Sequence, residues 1–117
     1  MKLRVLLLSL LVAAVGLALV PVAAPQTKTT STTVTVTMKE FKFVLSTKTV
    51  KHGSVTFKLA NKGHLGHDFW ISGKKSKTIA PGKSGMLTVT LSAGKKPYKC
   101  TIDGHAAAGM KGVLAVT

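Results

Sequence analysis

One cysteine, one tryptophan, one tyrosine and three carboxylates are all that a chain of 117 residues contains of those types. A lone cysteine excludes an internal disulfide, so a small domain here must be held together by its core or by a bound ion. With only Glu40, Asp68 and Asp103 as acids, the sequence shows no carboxylate cluster for acid–base catalysis, and an enzyme is not expected. The few aromatics form no stacking array, the cations are sixteen lysines and one arginine, and there is no recognition-helix signature. Nucleic acid is therefore not the expected partner of this basic chain. No stretch beyond Val34 carries a helical period.

What is present begins with a leader. Lys2 and Arg4 precede an apolar run at residues 5–20, then Pro21 and the small residues Val22, Ala23 and Ala24. Residues 1–24 read as a signal peptide cut after Ala24, or as a membrane anchor of just sufficient length. Either reading sends the domain out of the cytoplasm: periplasmic, extracellular, or membrane-anchored and facing outside the cytoplasm. Residues 25–33, including QTKTTSTT, are polar and repetitive and read as a linker. The formal charge of +14 favours anionic partners, such as an acidic protein or a membrane surface.

Residues 34–117 change period to two. Val34, Val36 and Met38 alternate with polar neighbours, as do Val55, Phe57 and Leu59, then Leu87, Val89 and Leu91, then Leu114 and Val116. Tyr98, Cys100 and Ile102 share a phase, and residues 67–71 read as a strand opened by His67. Turn residues recur at His52-Gly53, Asn61-Lys62-Gly63, Ser72-Gly73, residues 81–85 and Ala93-Gly94. Seven or eight short strands in one small domain predict an all-β sandwich of two packed sheets.

The chemistry is concentrated in YKCTIDGHAAAGMKG. Four residues separate Cys100 from His105, and four more separate His105 from Met110. A lone exported cysteine is a reactive thiol, half of an intermolecular bridge, a buried inert residue or a metal ligand. The even spacing with His105 and Met110 favours the last. A second imidazole is available from His67, or from His64 three residues earlier, while His52 reads as an exposed turn residue. Two imidazoles, a thiolate and a thioether form the donor set that holds copper in both oxidation states.

Two stretches, NKGHLGHDFWI and YKCTIDGHAAAGMKGVLAV, resemble the cupredoxins, the plastocyanin- and azurin-like blue copper proteins. The resemblance spans residues 38–117. It implies a Greek-key β-sandwich and the copper ligands His67, Cys100, His105 and Met110, with His67 chosen over His64 because the Asp-aromatic pair follows it directly. It also implies that Asp68, where Asn is more frequent, ties the ligand loops together by accepting a hydrogen bond from Thr101. Asp103 stands where the family often has Pro. The implied function is a monomeric one-electron carrier between redox proteins; a domain that holds copper for delivery is the alternative. His105 is expected to present an outer edge to solvent within an apolar docking rim of Leu65, Gly104, Ala106, Ala107 and Ala108.

Overall fold

The computed structural model describes residues 13–24 and 31–117. The expected leader and linker fall partly on residues 1–12 and 25–30, which lie outside the described residues. Residues 13–24 are exposed and carry neither helix nor strand. Among the described residues no helix is long and apolar enough to cross a membrane.

The described domain is all-β, with nine strands: β1 (Thr32–Lys39), β2 (Lys42–Leu45), β3 (Thr49–Val50), β4 (Gly53–Asn61), β5 (Trp70–Ile71), β6 (Lys74–Lys75), β7 (Ser84–Leu91), β8 (Gly94–Lys99) and β9 (Lys111–Val116). The count exceeds the expected seven or eight because three ladders are only two residues long. Strand β1 also starts earlier than residue 34, since Thr32 and Thr33 pair with Val55 and Thr56 of β4. β-Branched residues fit a pleated ladder well enough to recruit the end of the expected linker.

Two mixed sheets result. One has the order β2-β1-β4-β7 and the other β3-β9-β8-β5-β6. Strands β1 and β4 run parallel, in a register that places Val34 beside Phe57 and Val36 beside Leu59. Strands β8 and β9 are antiparallel and pair from Gly94 opposite Val116 to Lys99 opposite Lys111. The alternation in the sequence becomes alternation in burial. Val34, Val36, Met38, Val55 and Phe57 are completely buried, while the threonines and lysines between them face outward. Each such side chain contributes about 1.5–3 kcal/mol through removal from water.

Phe69 is the centre of an aromatic cluster. Its ring lies 4.9 Å from Phe57, 5.3 Å from Phe43 and 5.5 Å from Tyr98. The cluster packs between the sheets beside Cys100 and Met110, which belong to the same core. Phe69 and Tyr98 thus serve packing. Trp70, on the opposite phase, is half-buried with the Lys99 ammonium 5.3 Å from its ring.

The strand expected at residues 67–71 is shorter than its alternation implies. Only Trp70 and Ile71 join the ladder with β8. His67 instead pairs through its backbone with Ile79, and the Phe69 amide donates to the Ser76 hydroxyl at 3.0 Å. Side-chain and bridge hydrogen bonds satisfy this backbone where the regular ladder has ended.

Candidate metal centre

Two loops at one end of the sandwich converge on a buried cluster. The first runs from the end of β4 to His67 and is organised by Asn61. The Asn61 amide donates to the Leu65 carbonyl at 2.7 Å and to the Ile79 carbonyl at 2.8 Å, and its oxygen accepts from the Gly63 amide at 2.9 Å. A buried asparagine with both donors and its oxygen engaged fixes a loop that has no ladder of its own. His67 emerges from this loop completely buried.

The second loop joins β8 to β9. Cys100 follows the last residue of β8, and its amide donates to the Met110 carbonyl at 3.0 Å. The Met110 amide in turn donates to the His105 carbonyl at 3.0 Å. Between them the chain coils tightly: His105 bonds back to Ile102, Ala108 to Gly104, and Gly109 to Ala106. Gly109 closes the coil at a φ of +120°, a conformation that side-chain-bearing residues rarely adopt.

The two loops bring three donors together. One ring nitrogen each of His67 and His105 and the sulfur of Cys100 all lie within 4.8 Å of one another. His67 Nδ1 is 3.1 Å from His105 Nδ1, which is 3.6 Å from the Cys100 sulfur. All three side chains are buried, and so is that of Met110. This donor set fits one copper ion: imidazole nitrogen suits either oxidation state, and thiolate and thioether favour Cu(I). His64 is exposed and His52 sits in its turn with Nδ1 2.9 Å from the Thr117 carbonyl, so neither joins the cluster.

Asp68 locks the loops against each other. Its carboxylate accepts from the Thr101 amide at 2.6 Å and from the Thr101 hydroxyl. The neighbouring backbone also addresses the sulfur. Burial pushes the Cys100 thiol above its ordinary range, while the backbone amides of Asp68 and Ile102 work in the opposite direction. The Asp68 charge adds to the upward shift.

Two neighbours of the cluster gave no signal in the sequence. Phe41 packs edge-on against the His105 ring, 5.0 Å between centroids. It is partly why His105 is only 8 % exposed, less open than the expected solvent-facing edge. Of the expected docking rim, Leu65, Gly104, Ala107 and Ala108 are exposed and Ala106 is half-buried. The second neighbour is Glu40, whose carboxylate oxygen lies 3.2 Å from His67 Nε2 and accepts from the amides of His64 and Leu65, each at 2.7 Å. Against the upward push of desolvation, these amides, its own amide and the His67 ring hold the Glu40 carboxyl down at about 2. Both contacts join residues 24 or more positions apart, so no local motif could have announced them.

The fold has solved relatives. An auracyanin from the photosynthetic bacterium Roseiflexus castenholzii superposes with a TM-score of 0.59 at 18% identity, over 75% of this chain and 97% of its own. Auracyanin A, a "blue" copper protein from Chloroflexus aurantiacus, gives 0.62 at 19% identity, over 74% and 99%. The blue copper oxidase of Nitrosomonas europaea gives 0.61 at 17% identity, over 74% of this chain and 38% of that larger one. No sequence match to a curated protein was found. The cupredoxin-like domain family model matches residues 10–116. With that match across nearly its whole length, on a two-sheet β-sandwich carrying a buried His–Cys–His group, the chain belongs to the cupredoxin-like domain family.

Proposed function

We propose that this chain is an exported type 1 copper protein that carries single electrons between redox partners, with His67, Cys100, His105 and Met110 as its ligands. The observation that carries the reading is the buried convergence of His67, His105 and Cys100 within 4.8 Å, from two loops that the Asp68–Thr101 pair locks together. When bound, copper supplies a one-electron Cu(I)/Cu(II) couple.

The chain's own residues do the rest. The Asn61 hydrogen bonds hold the His67 loop, and the coil of residues 100–110 holds the other three ligands. Donors fixed by the fold rearrange little when the charge at the centre changes, which keeps the barrier to electron exchange low. Burial of all four donor side chains keeps the centre away from bulk water, which favours a carrier over an enzyme. The apolar rim of Leu65, Gly104, Ala107 and Ala108 beside His105 gives a partner a small, dry contact of the kind that forms and parts quickly. The lysine-rich surface steers an acidic partner to it, with association slowing as salt rises.

The test is spectroscopic and electrochemical. Oxidised, copper-loaded protein is expected to show a strong thiolate-to-copper band at about 600 nm, or shifted to about 450 nm, and Cys100→Ser is expected to abolish it. A reversible one-electron wave with fast exchange to a protein partner marks the carrier. Absence of the band, or rapid surrender of copper to an acceptor protein without a reversible wave, overturns this reading.

A further inference from the structure

Glu40 is one of only three acids in a strongly cationic chain, yet none of its surroundings looks like a surface carboxylate's. Its Oε1 accepts from the His64 amide, the Leu65 amide and the His67 ring. Its side chain is 23 % exposed, whereas the His67 ring it meets is completely buried. Gly63 completes the cradle. A Cβ built at Gly63 would lie 2.5 Å from Oε1 and 2.6 Å from Oε2 of Glu40, so any larger residue would force the carboxylate out. The carboxylate also joins the turn between β1 and β2 to the loop after β4, just beyond the point where the β1–β4 ladder ends at Met38 and Asn61.

The contact falls on the ring nitrogen that the metal cluster does not use. His67 Nδ1 faces His105 Nδ1, and Nε2 faces Glu40. A neutral imidazole carries one proton, and an unprotonated nitrogen is required of a ligand. A carboxylate beside Nε2 accepts only if the proton is there. That leaves the Nδ1 lone pair free and directed at His105 and Cys100.

We propose that Glu40 is a positioning residue for the metal centre: it fixes His67 as the Nε2–H tautomer and, through the ring, raises the donor strength of Nδ1. The inference deepens the copper reading above and rests on it for its effect on the metal, though not for its effect on the ring. A carboxylate bonded to a ligand imidazole stabilises the more highly charged metal, so Glu40 holds the reduction potential down. The contact is doubly determined, by the two loop amides that aim the carboxylate and by the glycine that makes room for it.

The experiment has a metal-free arm and a loaded arm. In metal-free wild-type protein, 15N NMR of the His67 ring is expected to show a single Nε2–H tautomer. Glu40→Gln keeps an accepting oxygen in place and should retain that tautomer, whereas Glu40→Ala and Gly63→Ala should each give a mixture. In the loaded arm, competition with a chromogenic Cu(I) chelator should show about 10–100-fold weaker binding for Glu40→Ala and Gly63→Ala, and near wild-type binding for Glu40→Gln. Glu40→Gln should nevertheless shift the potential upward, which a purely structural clasp would not do. The proposal is overturned if Glu40→Ala leaves the tautomer unmixed, or if Glu40→Gln leaves the potential unmoved. Should Glu40→Ala fail to fold, Gly63→Ala with Glu40→Gln decides the same question. Failure of the copper reading itself would appear separately, as wild-type protein that binds no copper while its His67 tautomer remains fixed.

Discussion

The amide of Cys100 donates to the carbonyl of Met110 at 3.0 Å, although ten positions separate them in the chain. That bond closes the loop between β8 and β9 at its base, and the Met110 amide to His105 carbonyl bond closes it a second time halfway along. Even spacing in the sequence therefore corresponds to successive closures of one coil. The thiol, imidazole and thioether come from three consecutive anchor points of the same hydrogen-bonded unit.

Met110 is completely buried and sits in the core as well as on the loop. Met110→Ala is expected to destabilise the protein by about 2–5 kcal/mol, the cost of a buried large-to-small change. Its backbone bonds to Cys100 and His105 are unaffected by the side chain. Copper binding through the other three donors should thus survive, with an altered spectrum. Chemical denaturation of metal-free protein measures the first effect and titration with copper the second. A loss below about 1 kcal/mol would mean that the thioether is not packed as described.

Asp68 accepts two hydrogen bonds from Thr101 and lies beside the Cys100 sulfur. Asparagine can reproduce both contacts, accepting from the amide and donating to the hydroxyl, while removing the charge. A negative charge near the centre favours Cu(II). Asp68→Asn is therefore expected to raise the reduction potential with little loss of stability. Voltammetry of the two proteins decides it, and an unchanged or lower potential refutes the charge argument.

The sequence carried most of the sandwich and the second loop of the candidate site, and physical reasons explain where it stopped. Period-two alternation survives in β1, β4, β7 and β9 because each faces the core on one side only. The Cys–His–Met unit was legible because its bonds are local. His67 was separable from His64 only through the cupredoxin resemblance, since only three positions separate them in the sequence. Glu40 and Phe41 were illegible for the opposite reason to Cys100: they act on residues that only the packed fold brings near. Asn61 was visible as a turn residue. Its grip on Ile79, 18 positions away, was not.

That grip makes Asn61 a sharp test of how the His67 loop is held. Asn61→Ala would leave the Leu65 carbonyl and the Gly63 amide without these partners and the Ile79 carbonyl with only the His67 amide, a loss of about 2 kcal/mol. Asn61→Asp should be no better, because a carboxylate oxygen would replace the donor that faces two carbonyl oxygens. Urea unfolding of both variants measures it. If aspartate restored stability, the assignment of the amide nitrogen to the carbonyls would be wrong.

Copper uptake should depend on pH through the sulfur. Burial raises the Cys100 thiol pKa above its ordinary value of 9.0, outweighing the amides of Asp68 and Ile102. In metal-free protein at neutral pH the thiol is thus protonated, and the metal binds the thiolate. The direction follows: each copper bound expels a proton, and apparent affinity rises with pH up to the thiol's own pKa, about tenfold per unit from this group. Calorimetric titration in buffers of different ionisation enthalpy counts the released protons. Cys100→Ser should lose this release together with most of the affinity. Uptake by the wild type without any proton release at pH 7 would show that the sulfur is already ionised, or that it is not a ligand.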